Sequence, residues 1–429
     1  MTTQYETGAL WSSTFPATTG QRSYYEQLLL ETLRTKSILV PYCAVKEDFA
    51  ARDTGVIIYT EVYDTEPNWE SLSETGIWLS GAYLDSRSVQ IQLEIHGDVI
   101  KLSDYNELVN FWNKGDFRGL CRGKLGQNMV DYLDILARNA FLSIDANYKS
   151  YANSKTGIYD LAQTDLFDPD YGELARIHLE EREIPGVASP EDGGSQTIVC
   201  VTTPRVCHDI RNAAGSKWLE VNEYAGATRK FNNEVGMWGG VRYVKTMRNK
   251  LFNYGLVDLQ TQLSAANVVG QGAAATVDTV YSVGQTGATA YIEVDATAGF
   301  AKGDMVTIHS HTNCGDDGSG GDPPIAGDGT QEVRRIANVV DGTKLALDKP
   351  LLKVHDVDDY VTRGVDVHAS FFMGGPSVVY GVGERPHMHQ PPKIDDLGMV
   401  NRFAWRGFLK FQMFRPEYME VWLSGGSTN

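Results

Sequence analysis

The chain has 429 residues, with 38 Lys and Arg against 55 Asp and Glu, for a net charge of −17. At 42% hydrophobic and 22% charged residues it can bury sizeable cores, which excludes a disordered or collagen-like chain, and at about 150 residues per domain it holds roughly two to three domains. Such acidity argues against a protein whose affinity comes from neutralising phosphates, but not against one that encloses nucleic acid.

The longest apolar runs, such as Val56-Ile57-Ile58-Tyr59, fall far short of the ~20 residues that span a bilayer. The first residues, MTTQYETGALWSS, carry no basic segment and no apolar segment of the kind that makes a secretory leader. Cys43, Cys121, Cys200, Cys207 and Cys314 are odd in number, widely spaced and without a CxxC pair. They read as buried thiols of a reducing compartment, not as a disulfide framework.

Along the chain, residues 1–37 read as an arm, in which only Tyr24 to Leu33 has a helical pattern. Val56 to Tyr63 and Ser88 to His96 read as strands. In the second, Val89, Ile91, Leu93 and Ile95 alternate with Gln90, Gln92, Glu94 and His96, the period of a half-buried strand. The connection Asp64 to Ser86, with Trp69, Trp78 and Tyr83, is too long for a tight hairpin turn, and such loops tend to be functional. A small extra hairpin packed on its own domain is the plainer alternative.

Asp104 with Glu107 has the spacing of a capping box. From Arg122 to Asn147, Leu125, Met129, Leu133, Leu136, Ala140 and Ile144 make one helical stripe, with Asp131, Asp134, Arg138 and Asp145 opposite. Residues 172–184 suggest a second helix, ended by Pro185. A strand at Gln196 to Thr202 precedes a third helix, Arg205 to Ala214, with Pro204 in its first turn. Gly239-Gly240 reads as a tight turn before another strand.

Composition changes near residue 259. From there to 362 the chain holds six basic and fourteen acidic residues, a net of −8, and no tryptophan. Short strands (Ala290 to Val294, Met305 to His309, Glu332 to Val339, Lys344 to Leu347) mark an all-β module with a glycine-rich surface loop, Asn313 to Thr330. Long strands rich in large side chains then return: Val365 to Met373, Ser377 to Val382, and Phe403 to Trp422.

Catalytic signatures are weak. Gly123-Lys124 is followed by Leu125, with Arg118 upstream where a P-loop needs glycine, and there is no G-x-S-x-G. Gly270-Gln-Gly272 leads into β-type residues, not into a helix, as a dinucleotide loop requires. His309, His311 and Cys314 lack a second ligand pair for zinc. Asp316, Asp317, Asp322 and Asp328 do not follow the EF-hand spacing for calcium. No catalytic, cofactor or metal site is expected. Arg242, Lys245, Arg248 and Lys250 form a basic set that could meet phosphate, with a solvated face or inter-subunit ion pairs as the plainer reading.

The order of arm, long hairpin loop, long helix, α/β segment and late aromatic strands has a counterpart. It is carried by LEIHGDVIKLSDY (Leu93 to Tyr105), MVDYLDILARNAF (Met129 to Phe141), NNEVGMWGGVRYVKT (Asn232 to Thr246) and DDLGMVNRFAWRGFLKFQMFRPEYMEV (Asp395 to Val421). In these the chain resembles the tailed-phage major capsid proteins of the Hong Kong 97-type fold, and within them the N-four-like major capsid family. The resemblance implies an α+β subunit in five parts: an arm (1–37), an E-loop (55–98), a peripheral domain (38–54 and 99–194) with a spine helix (120–147), an axial domain (195–258 and 363–390), and C-terminal strands (391–429) returning to the peripheral domain. The β module (259–362) would be an insertion. Trp69, Trp78, Tyr83 and Arg87 would make inter-subunit contacts, and Arg242, Lys245, Arg248 and Lys250 would face DNA inside the shell.

The implied protein is a non-enzymatic shell subunit of the virion. It would assemble with itself in hexamers and pentamers in the host cytoplasm and enclose double-stranded DNA without reading its sequence. A scaffolding protein, a portal and a decoration protein would be its other partners, and no membrane is involved. Some relatives cross-link through an E-loop lysine, but no lysine lies between Lys46 and Lys101, so that chemistry is absent from this loop. An encapsulin-like compartment of the same fold and a carbohydrate-active protein with a β accessory module remain open as alternatives.

Overall fold

The computed structural model describes residues 37–47, 55–62, 84–103, 117–188, 196–220, 231–264, 291–310, 332–348, 351, 355–391 and 400–427. The expected arm, the capping box at Asp104 and the glycine-rich loop lie outside these residues, as do Trp69, Trp78 and Tyr83.

Strands β1 (Ala44–Glu47), β2 (Val56–Val62), β3 (Ser86–Gln92) and β4 (Glu94–Ser103) precede helix α1 (Phe117–Leu142). Then come β5 (Lys149–Tyr151), α2 (Pro169–Glu181), β6 (Val187–Ala188), β7 (Gln196–Thr202), α3 (Pro204–Ala214), β8 (Leu219–Glu220), β9 (Glu234–Trp238) and β10 (Val241–Lys245). After β11 (Lys250–Leu251) follow β12 (Val257–Gln262), β13 (Tyr291–Glu293), β14 (Met305–His309), β15 (Glu332–Val339), β16 (Lys344–Leu347) and β17 (Tyr360–Gly364). Strands β18 (Val367–Met373), β19 (Val378–His389), β20 (Val400–Met413) and β21 (Met419–Ser424) complete the chain.

Two compact units result, one from residues 1–136 and 378–414, the other from 137–377 and 415–429. The first holds a four-stranded sheet in the order β1-β19-β20-β4 and the separate hairpin β2-β3. Helix α1 covers one sheet face: Asn128 Oδ1 accepts from Trp405 Nε1 at 3.2 Å, and the Tyr132 ring lies 5.6 Å from that of Trp405. The hairpin covers the other face through Ile57, Ile91 and Leu93, which pack on Val379 and Phe414.

In the second unit a nine-stranded sheet runs β5-β21-β18-β7-β10-β9-β8, with β11 and β6 as side pairings. Strands β7, β18 and β21 are buried along nearly their whole length, so their sequences read as continuous apolar runs, the pattern of a sheet covered on both faces. Helices α2 and α3 fill one face with Ala175, Leu179, Val206 and Ile210 against Cys200, Tyr243, Phe372 and Trp422. Phe141, at the end of α1, meets Phe371 on the other, with ring centres 5.5 Å apart. Thr203 caps α3, its Oγ1 accepting from Val206 N at 3.5 Å, and Pro204 fills the first turn where no donor is needed.

The β module is a six-stranded antiparallel sheet, β12-β17-β14-β15-β16-β13. A Leu263–Val294 bridge joins its two ends, with Ser264 N donating to Glu293 O at 3.1 Å and Asp295 N to Gln262 O at 3.0 Å. The sheet therefore closes into a barrel around its own core, which includes Leu263, Phe300, Ile308, Ile336, Leu345 and Val361.

Five expectations are corrected. Ser88 to His96 is not one strand: it breaks at Leu93, because β3 pairs with β2 while β4 pairs with β20, and Ile95 ends 78% exposed instead of inward. Helix α1 spans 117–142, not 120–147. Asp145 caps a separate 3-10 turn at Ala146–Tyr148, accepting from Asn147 N. Its buried stripe drifts from Leu133 to Ala137 and Phe141, leaving Leu136 half-buried, as 3.6 residues per turn dictates, and Asp134 is fully buried instead of on the polar face. Lastly, 363–390 is not one domain piece: β18 joins β7, whereas β19 joins β1 and β20 in the other unit. The run Phe403 to Trp422 divides likewise at Pro416, where a 3-10 turn separates β20 from β21.

Candidate assembly surfaces

In the hairpin, residues directly opposite each other share a face: Ile57 with Ile91, Tyr59 with Val89, and Glu61 with Arg87. That inner face is held to its own sheet. Two glycines make the close approach possible. A side chain at Gly383 would stand 2.7 Å from Leu93 Cδ1 and 2.8 Å from Phe408 Cδ1, and one at Gly381 would crowd Ile91 and Ile57. Tyr59 meets Phe414 edge-on at 4.5 Å. The outer face leaves Ile58 and Val62 exposed, as is Leu84 just before β3. Among the described residues nothing covers these apolar side chains on the outside of the anchored hairpin.

Arg87, expected at an inter-subunit contact, is engaged within the subunit. Its Nη2 lies 3.3 Å from Glu61 Oε2 and its guanidinium 4.8 Å from the centre of the Phe414 ring. It ties the loop end of the paired strands to the Phe414 ring.

On the same side of the four-stranded sheet, Ile95, Glu384, Arg406, Gly407 and Phe408 line a hollow of about 430 Å³. Glu384 carries Arg406 at 3.4 Å and His387 at 3.5 Å, so the hollow has an apolar floor and an ion-paired rim. On the helix side, Asp134 gathers the chain at 37–39: Ser37 Oγ donates at 2.6 Å, Ile38 N at 3.2 Å and Leu39 N at 3.3 Å. The sequence held a signal for this residue, since 134 falls on the spacing of Val130, Ala137 and Phe141.

The four basic residues expected to face DNA differ in burial. Arg242 is only 8% exposed, lying 3.9 Å from Glu234 and 5.6 Å from the centre of the Phe231 ring, so it cannot reach a phosphate outside the fold. Lys250 is half-buried, 2.6 Å from Asp366 and over the Phe252 ring at 4.5 Å. Arg248 is half-buried, and its carbonyl accepts from Arg138 Nη1 at 2.9 Å. Lys245 is exposed, at the end of β10.

A polar hollow of about 500 Å³ in the second unit is lined by, among others, Arg205, Lys250, Asp258, Arg363, Asp366 and His368. Most of its charges are paired: Lys250 with Asp366, and Arg363 with Asp258 and Asp304, while Arg205 Nη1 donates to the Ser427 carbonyl. His368 accepts or donates to Thr203 Oγ1 at 2.9 Å, and burial together with Lys250 pushes its imidazole down to about 4, so it is neutral there.

Of the zinc candidates, His309 is buried and hydrogen-bonded to Thr362 Oγ1 at 2.9 Å, while His311 and Cys314 lie outside the described residues. Among the described residues no group of three His, Cys, Asp or Glu side chains is placed to hold a metal ion. Cys43, Cys121, Cys200 and Cys207 are buried, and burial raises the thiols of Cys43, Cys200 and Cys207, which keeps these three inert.

The model of a family described as phage capsid protein matches residues 90–314. That match includes the first strands of the barrel. No curated protein matches the chain in sequence. Among solved structures, the capsid of Ralstonia phage GP4 is similar at a TM-score of 0.54 and 12% identity, over 92% of this chain and 93% of that one. The head of Helicobacter pylori bacteriophage KHP40 is similar at a TM-score of 0.48 and 10% identity, over 92% and 91%. At 12% identity the likeness to the Ralstonia phage capsid is one of fold.

Proposed function

The chain belongs to the phage capsid protein family and is a structural, not a catalytic, protein of the Hong Kong 97-type fold; from that premise we propose how it builds a shell. Copies associate into hexamers and pentamers that close into an icosahedral head around double-stranded DNA, in the host cytoplasm. Many interfaces, each weak, add up through multivalency. A scaffolding protein and a portal set size and entry, and a decoration protein is a further candidate partner.

The observation that carries this reading is the hairpin. Its inner face is fixed to its own subunit by Ile57, Ile91 and Leu93, while Ile58, Val62 and Leu84 stay exposed for a neighbour. The loop that continues from it, with Trp69, Trp78 and Tyr83, extends that contact. Lys245 is the member of the basic set best placed to meet packaged DNA, since it is exposed. The barrel faces outward: its segment carries −8 of the −17, and acidity on the inner wall would repel DNA.

The family match sets aside the carbohydrate-active alternative. Electron microscopy of the protein produced with its scaffold tests the rest. Closed shells tens of nanometres across are the expected result, and monomers under all conditions would overturn it. Shells that never hold nucleic acid would mark a compartment instead of a virus head. Replacing residues 63–85 by Asn-Gly, which joins the paired ends Val62 and Ser86, is expected to leave a folded subunit that no longer assembles.

A further inference from the structure

Helices α2 and α3 pack on the same face of the nine-stranded sheet, yet their outer surfaces are opposite in charge. On α2 every basic side chain is turned to its own protein. His178 lies 3.0 Å and Arg182 3.6 Å from Glu420, and Arg176 packs at Gly240 and pairs with Glu180 at 3.7 Å. What faces out is a stripe at steps of four, three and four: Asp170, Leu174, Ile177 and Glu181. Leu174 is 41% and Ile177 38% exposed, between two carboxylates and beside Glu173.

On α3 the arrangement is inverted. Its one carboxylate, Asp209, is buried and accepts from Ser427 N at 3.3 Å, while Arg205, His208 and Arg211 are exposed. Lys217 follows just beyond the helix, and Leu219, at the sheet edge on β8, is an exposed apolar residue beside it. Arg211 pairs with Glu220 at 2.9 Å but keeps most of its side chain in solvent.

One chain thus presents an acidic surface with an apolar centre and, separately, a basic surface with an apolar residue. Two different complementary patches on one protomer are what an interface between copies requires when it is not made by one patch against itself. We propose that α2 of one copy docks against α3 of another, with Leu174 and Ile177 against Leu219 and with Asp170, Glu173 and Glu181 facing Arg205, Arg211 and Lys217. This rests on the capsid reading and names a contact between its copies.

Charge reversal tests it, with shell yield read by sedimentation and electron microscopy and folding by thermal melting. Glu173→Lys with Glu181→Lys, and separately Arg211→Glu with Lys217→Glu, should each lower shell yield at least tenfold in a folded subunit. Both pairs together should restore it to within about twofold, because every copy then carries exchanged patches. Arg211→Gln with Lys217→Gln covers the case in which the α3 reversal, placed beside Glu220, fails to fold, and it should lower the yield by a smaller factor. Wild-type yields from the reversed variants, or no restoration in the combined one, would overturn the proposal. Shells of the α3 variants that form normally but hold less DNA would assign that face to nucleic acid instead. Failure of the wild type to form any shell counts against the capsid reading, not against this contact.

Discussion

Asp134 shows how one side chain fixes a junction. The buried carboxylate accepts from Ser37 Oγ, Ile38 N and Leu39 N, and so ties the chain at 37–39 to the helix. Asp134→Ala is expected to cost about 3 kcal/mol, since it strands two buried N–H groups and a hydroxyl. Urea unfolding checks this, and a loss below about 1 kcal/mol would show that water replaces the carboxylate. Tyr243 is the reverse case. Its hydroxyl is buried against Gly172, where no side chain would fit, and has no hydrogen-bond partner among the described residues. Tyr243→Phe should therefore be neutral or stabilise by about 1 kcal/mol. His368 links stability to pH. Its folded value, about 4, lies below the ordinary 6.5, so between these the unfolded chain takes up a proton that the folded chain refuses. Stability is full above 6.5 and falls as pH drops towards 4, by up to about 3 kcal/mol. Unfolding curves at pH 7 and pH 5 should differ less in His368→Gln than in the wild type, and an equal difference in both would exclude His368 as the source.

At the scale of elements, the hairpin and its floor act together. That β2 and β3 are strands was plain in the sequence, but which strand they would meet was not. The answer lies in Gly381 and Gly383, over 280 residues away, whose missing side chains let Leu93 and Ile91 settle on the sheet. Gly383→Val should force Leu93 and Phe408 aside and cost about 1–3 kcal/mol, the range for overpacking. Because the hairpin is the element displaced, shell yield should fall more steeply than the melting temperature. Normal yield with a lowered melting point would separate the hairpin from assembly. The break at Leu93 has a similar origin. Periodicity cannot distinguish one strand from two that change partners, and here Leu93 N donates to Gly55 O at 2.8 Å, closing the hairpin just before β4 joins β20.

For the whole molecule, the barrel is the separable part. Its first and last strands are neighbours, with Val257 opposite Gly364, and the flanking backbone is cross-bonded: Gly255 N donates to Val365 O at 2.9 Å, and Val365 N to Leu256 O at 3.0 Å. A module that enters and leaves at one point, with a core of its own and no free sheet edge, should fold alone. Residues 256–365 expressed by themselves are expected to melt cooperatively, and replacing 258–363 by a short glycine-serine linker should leave the remaining sheets folded. A molten fragment would show that the barrel depends on its host. The net charge divides the same way. About half of it belongs to this module, leaving a less acidic remainder.

The sequence by itself determined what local periodicity and composition encode: three helices, though not their ends, the strands of the module, its acidity, and a family pattern of which three of the four segments lie within the matched residues 90–314. These depend on neighbours along the chain, whose spacing is written in the order of residues. Only the tertiary structure decided which sheet each strand enters, that β18 and β19 part company within five residues, and that the module closes on itself. It also decided that Asp134 and Arg242 are buried and that α2 and α3 show opposite charges outward. Those outcomes depend on residues far apart in the chain, where burial and pairing are chosen by the partner that happens to lie across the core.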